Sequence, residues 1–180
     1  MNPVDRLHKD HHEIVSYFDE KGEISFRSAA DENFRKSLLL AAASYFEERV
    51  SEDLLQFFSE TSNQLAVEII RSKAIKRQYH NLFDWDSNNA NRFFSLFGAS
   101  FKSFMVDEIK ANDDLNNAIK AFITLGQDRN RLVHQNFGTF TLEKTADEIY
   151  ELYKQALVFV EAIPNKLNKY LQSNQNSEDV

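Results

Sequence analysis

Cysteine is absent from this chain, which excludes disulfides and any thiolate-bound metal. Turn-forming residues are scarce, with four Gly and two Pro in 180 residues, and that scarcity argues against a sandwich or barrel of many short strands. Long apolar runs are missing too. The longest, Leu38 to Phe46, contains Ser44, so no membrane span and no membrane partner is expected. The opening Met1-Asn2-Pro3-Val4-Asp5-Arg6 is too polar for a signal peptide, and the chain reads as cytoplasmic. What is present is core material: 16 Phe and 42% hydrophobic residues, enough for one domain of ordinary size.

Basic residues are outnumbered, and the net charge of −7 argues against a generic polyanion binder. The imbalance is local. Residues 1–60 carry 7 Lys/Arg against 13 Asp/Glu, whereas residues 61–110 carry 7 against 5, including Arg71, Lys73, Lys76 and Arg77. That basic cluster reads as a solvated helix face rather than a groove for RNA.

Helical periodicity dominates the chain, and no strand, internal repeat or linker is evident. Asn2-Pro3 resembles an N-cap followed by proline at the first helical position, predicting a helix over 3–21 ended by Gly22. Ser28 with Asp31 resembles a capping box, predicting the start of a long helix that reaches about residue 60. A third helix is expected from Leu65 to about Arg77, and a loop over 81–89. A fourth helix should run from Asn89 or Asn91 to about Ala111 through Phe93, Phe97, Phe101 and Phe104. Asn112 opens a helix over about 112–135. Thr145 with Glu148 caps the last, which Pro164 is expected to kink or restart. The expected architecture is all-α: a single helical bundle of about five to six helices. Its divisions are an N-terminal helical extension (1–27), the main helical domain (28–172) and a polar tail (173–180), expected to fray.

One hexapeptide stands out, Arg129-Asn130-Arg131-Leu132-Val133-His134. With 100° per residue and Arg129 at zero, Leu115 and Val133 fall near 40°, Phe122 near 20°, Ala118 near 340° and Leu125 near 320°. Arg129 therefore lies in the apolar stripe, while Asn130 and His134, four apart, share the adjoining flank. A charge in that stripe is costly unless it is paired or opens onto a polar cleft. A structural pair with Glu47 or Glu48 is the plain explanation. Arg, Asn and His along one edge are the functional one.

Arg-Asn-x-x-x-His near a helix end, followed by a Gly turn and an amphipathic helix, resembles HEPN domains, all-α units with an Arg-x4–6-His motif. The run Phe137-Gly138-Thr139-Phe140-Thr141-Leu142 and then Ala146-Asp147-Glu148-Ile149 is similar to the RiboL-PSP-HEPN branch in particular. So are Ser28-Ala29-Ala30, Ala41 to Glu47, and Phe97-Gly98-Ala99-Ser100-Phe101-Lys102. The resemblance spans roughly residues 28–165. It implies a metal-independent endoribonuclease without cofactor, acting on an RNA substrate as a homodimer whose motif helices face each other across one cleft. It also implies a toxin or phage-defence role, with an antitoxin or other inhibitor protein as a possible partner. In that reading Arg129 and His134 are catalytic, Asn130 orients the histidine or the phosphate, Arg131 contacts substrate phosphate, and Glu47 supports Arg129. Some such toxins carry a tyrosine two residues after the histidine, modified by a partner nucleotidyltransferase. Asn136 stands there instead, so that form of regulation is unsupported.

The residue types suit the chemistry. RNA carries its own nucleophile, the 2′-OH, so cleavage needs proton transfer and charge stabilisation. Imidazole titrates near pH ~6.5, and guanidinium can fork onto phosphate oxygens. The rival readings are a catalytically inactive HEPN domain that binds RNA, a nucleotide or a protein, and a plain helical interaction subunit whose Arg129 is structural. Three further features have plainer explanations. Arg131 reads as a solvated charge and Trp85, within Asp84-Trp85-Asp86, as a plug at the core edge. His8, His11 and His12 tempt a metal reading, since 8 and 12 share a face, but no third ligand is evident and no metal is expected.

Overall fold

Asn2 accepts hydrogen bonds from the amides of Val4 and Asp5, and Pro3 occupies the first helical position, so α1 runs Pro3–Glu20. Gly22, at φ 70°, supplies the left-handed turn that reverses the chain into α2, Ile24–Thr61. This architecture comes from a computed structural model that describes residues 2–178, with side chains through residue 174. The Ser28–Asp31 capping box is not used. Helix α2 begins directly after the Gly22 turn, leaving Ser28 inside it, and Asp31 instead pairs with His11 and Arg35.

The next segment departs from a simple helix. Helix α3, Gln64–Ile70, widens into a π-helical turn over Arg71–Ile75, and Arg77 takes a positive φ of 60°. Left-handed backbone at a residue with a Cβ is strained, and it lies in the short break between this turn and α4, Tyr79–Leu82. The single fourth helix expected over 91–111 is broken in two: α5, Asn91–Ser95, and α6, Ala99–Lys110. Gly98, at φ 98°, makes the break, which lets Phe94, Phe97 and Phe101 meet edge-on instead of continuing along one face.

Asn112 caps α7, Asp113–His134, through a bond to the Leu115 amide. The Thr145–Glu148 box forms reciprocally, Thr145 N–H to Glu148 Oε2 at 2.8 Å and Glu148 N–H to Thr145 Oγ1 at 3.2 Å. Helix α8 then runs Ala146–Glu178 and passes Pro164 without restarting, its flanks Ile163 and Leu167 both buried. Residues 173–178 of the expected polar tail continue that helix, while 179–180 lie outside the described residues.

Among the described residues there are eight α-helices, six of them seven residues or longer, and no strand. Helices α2, α7 and α8 form the frame, with α1 laid along α2 and α8. Phe46 of α2, Phe122 of α7, and Tyr153 and Phe159 of α8 meet at the centre, with ring centroids 5.2–5.6 Å apart. The segment after α7 is held from α2. Buried Lys36 donates to Glu32 and to the Phe137 carbonyl, and Arg35 to the carbonyls of Leu142 and Lys144. No helix among the described residues is long and apolar enough to cross a membrane.

Candidate active site

A cleft forms where the middle of α2, the α4 segment and the last turns of α7 converge. Its walls are Ala43, Phe46 and Glu47 from α2, Tyr79, His80 and Trp85 from the α4 segment, and Phe122, Gly126, Arg129 and Asn130 from α7. Trp85 organises the wall. Its indole lies flat against the α7 backbone at Gly126, where an added Cβ would overlap the ring carbons Cζ3 and Cε3. Only glycine permits that approach. Trp85 Nε1 donates to the His80 carbonyl at 3.0 Å, and Gln127 of α7 donates to the Ser87 carbonyl at 3.2 Å. These two bonds hold the α4 loop, and with it His80, against the motif helix.

Arg129 is half-buried at the edge of this cleft, as its place in the apolar stripe requires. Its guanidinium donates to Asn130 Oδ1 at 3.2 Å, and among the described residues it forms no ion pair. Glu47 lines the same cleft, so the structure brings the two together without bonding them. Glu48 is exposed. Among the described residues Arg129 thus makes one side-chain hydrogen bond, and Glu47 supplies an opposing charge in the same cleft wall.

His134 is the last residue of α7 and is exposed. Its field reaches His80. Partial desolvation lowers the His80 imidazole from its ordinary value, and the charges of Arg129 and then His134 lower it further, against an upward pull from Glu47. The neighbouring Tyr79 phenol is pushed up by burial and by Glu47, against Arg129, so it stays neutral. Glu47, His80, Arg129 and Asn130 therefore line one cleft, while His134, exposed at the end of α7, lies outside its lining.

Arg131 lies apart from this group. It is exposed, pairs with buried Asp128 at 3.6 Å and sits over the Phe140 ring at 5.8 Å. Asp128 is also bonded to Lys144 at 2.7 Å, so these three residues fasten the motif helix to the following segment. Val133, placed in the apolar stripe by the wheel, is 44% exposed: Leu132 takes the buried position in the last turn. The cluster Arg71, Lys73, Lys76 and Arg77 is exposed and lines no part of the cleft.

His80 is the cleft residue that sequence reasoning missed, and nothing in its spacing to Arg129 marks it. Gly126 was a usable signal, because a glycine inside a helix three residues before the motif asks for a close neighbour. The absence of a third ligand for the N-terminal histidines is overturned. Asp147 Oδ1 lies 2.8 Å from His8 Nε2 and 2.9 Å from His12 Nε2. His11 instead bonds Asp31 of α2 at 2.9 Å.

The fold and cleft define an all-α domain with an Arg-Asn-x-x-x-His edge on its central helix. A model of the RiboL-PSP-HEPN family matches residues 5–169, and the chain belongs to that family. No curated protein and no solved structure matches the chain.

Proposed function

We propose that this protein is a metal-independent endoribonuclease that cleaves RNA by attack of the 2′-oxygen on the adjacent phosphate, in a cleft shared by two copies of the chain. The observation that carries this reading is Arg129: half-buried in the cleft wall with Glu47, yet among the described residues bonded only to Asn130. A structural arginine at that depth would close onto Glu47.

Each group then has a task. Arg129 binds the non-bridging phosphate oxygens and stabilises the charge of the pentacoordinate transition state. His134 transfers the proton, either from the 2′-OH or to the departing 5′-oxygen. Asn130, one turn before His134 on the same flank, orients the imidazole or the phosphate. His80, whose imidazole is lowered from its ordinary value by partial desolvation and Arg129, lines the same cleft and can accept a proton there. Glu47 balances the charge of Arg129 within the cleft.

One Arg and one exposed His are few groups for such a reaction, and a second copy supplies the rest. Val133 and Phe137, 44% and 43% exposed beside His134, are the apolar surface that supports this pairing. Arg131, tied to Asp128, serves at most as a peripheral phosphate contact. A role as a toxin or defence effector, restrained by an inhibitor protein, follows from the family reading alone.

The test is RNA cleavage in EDTA by wild type, His134→Ala and Arg129→Ala. The expected result is cleavage by wild type and loss of at least about 100-fold in each variant, at the scale of removing a general acid–base or an oxyanion donor. Helicity should be unchanged. Wild-type cleavage that requires added Mg²⁺ would contradict the proposal. A wild type that binds RNA without cutting it would favour the inactive-domain reading.

A further inference from the structure

We infer that His8, His12 and Asp147 form a binding site for a divalent transition-metal ion of the zinc type, clamping α1 to the start of α8. The inference is independent of the cleavage reading, since none of the three residues lines the Arg129 cleft.

His8 and His12 stand four apart on α1, so both imidazoles project from one face. The packing of α1 against α8 delivers Asp147, in the first turn of α8, to the same point. Asp147 Oδ1 lies 2.8 Å from His8 Nε2 and 2.9 Å from His12 Nε2, and the two nitrogens are 3.2 Å apart. Hydrogen bonding satisfies this triangle only when both imidazoles donate Nε2–H to the one carboxylate oxygen. If both nitrogens carry protons toward the carboxylate, two N–H groups crowd each other. If one is bare, its lone pair loses the carboxylate contact. A cation replaces those protons and gives all three lone pairs one target. An ion at about 2.0–2.1 Å from each atom, the usual Zn–N and Zn–O length, would lie about 1 Å out of their plane.

The surroundings are built for a fixed ligand. The His8 ring stacks on Tyr150 with centroids 3.9 Å apart and planes 8° from parallel. The Tyr150 hydroxyl donates in turn to Asp5 Oδ1 at 3.1 Å. The His8 side chain is 18% exposed, whereas His12 and Asp147 are 50% and 67% exposed. One side of the triangle is thus preset and the other is open to solvent, leaving room for water to complete a tetrahedron. Two imidazoles and one carboxylate favour a zinc-like ion over Mg²⁺ or Ca²⁺, which prefer all-oxygen shells.

The test uses the full chain, freed of metal by chelation, with Zn²⁺ followed by calorimetry and Co²⁺ by visible absorption. Wild type should bind one ion per chain, give the absorption of tetrahedral cobalt, and show a Tm that rises with Zn²⁺ concentration. Asp147→Asn and His12→Gln should each weaken binding more than about ten-fold and abolish the Tm rise, with helicity retained. His12 is half-exposed, so that variant keeps the test sound if Asp147→Asn perturbs the α8 start. His134→Ala should bind Zn²⁺ as wild type does. Absence of saturable Zn²⁺ binding, or equal binding by both ligand variants and wild type, would overturn the inference.

Discussion

Gly126 and Trp85 set the shape of the cleft between them. The indole can lie on the α7 backbone only because position 126 has no side chain, and from there it holds the His80 carbonyl. Gly126→Ala should therefore lower stability by about 1–3 kcal/mol, the usual cost of overpacking, as read by denaturant unfolding. Loss of Gly from a helix interior would by itself stabilise by about 0.5–1 kcal/mol, so an unchanged or raised stability would mean that the indole moves aside freely. The same scale shows what the sequence discloses about the site. Arg129 was legible because a charge in an apolar stripe is visible on a helical wheel. His80 was not, because its place depends on a left-handed Arg77 and an indole contact that no periodicity encodes.

At the scale of elements, most caps were legible and interruptions were not. The exceptions are the starts of α2 and of α5, where Ala90 rather than Asn89 or Asn91 is the N-cap. Asn2, Asn112 and Thr145 all cap the helices expected of them, since a short polar side chain before an apolar run has a local physical reason to be there. The Ser28 box failed because the Gly22 turn starts α2 with Glu23 at its N-cap, five residues before Ser28. Pro164 reads locally as a breaker, yet the buried residues on both sides keep α8 continuous. Between elements, Glu108 of α6 is bonded to Lys166 and Lys169 of α8, which hold its carboxyl below the ordinary value of 4.5. A carboxylate with a depressed folded pKa contributes stability that is present above the unfolded value and lost as pH falls through the folded one. Glu108→Gln should thus destabilise the protein at pH 7 by about 1 kcal/mol, and the difference from wild type should vanish in acid. Unfolding curves at pH 7 and at successively lower pH measure both. A difference that does not shrink as pH falls would assign the effect to packing.

At the scale of the whole molecule, the acidic chain and the small cleft of one copy leave RNA little to bind. Two copies meeting at the His134 end would double the Arg129 and His134 charges on one surface. If two copies share the cleft as proposed, Val133→Asp would place a like charge on each side of the two-fold axis, give a monomer and cut cleavage by at least about ten-fold. Light scattering with an activity assay on the same sample tests this. A monomeric wild type at micromolar concentration, or a fully active monomeric Val133→Asp, would contradict the shared cleft.

The central claim is that the 2′-oxygen is the nucleophile and that His134 and Arg129 serve it. The most direct measurement is cleavage, in EDTA, of a susceptible RNA against the same strand with one 2′-deoxy nucleotide at the scissile position, with the product ends identified. The account predicts a 2′,3′-cyclic phosphate and a 5′-hydroxyl from the RNA, and no cut at the deoxy position. Equal cleavage of both strands would contradict it, because no nucleophile would then remain for these residues to activate.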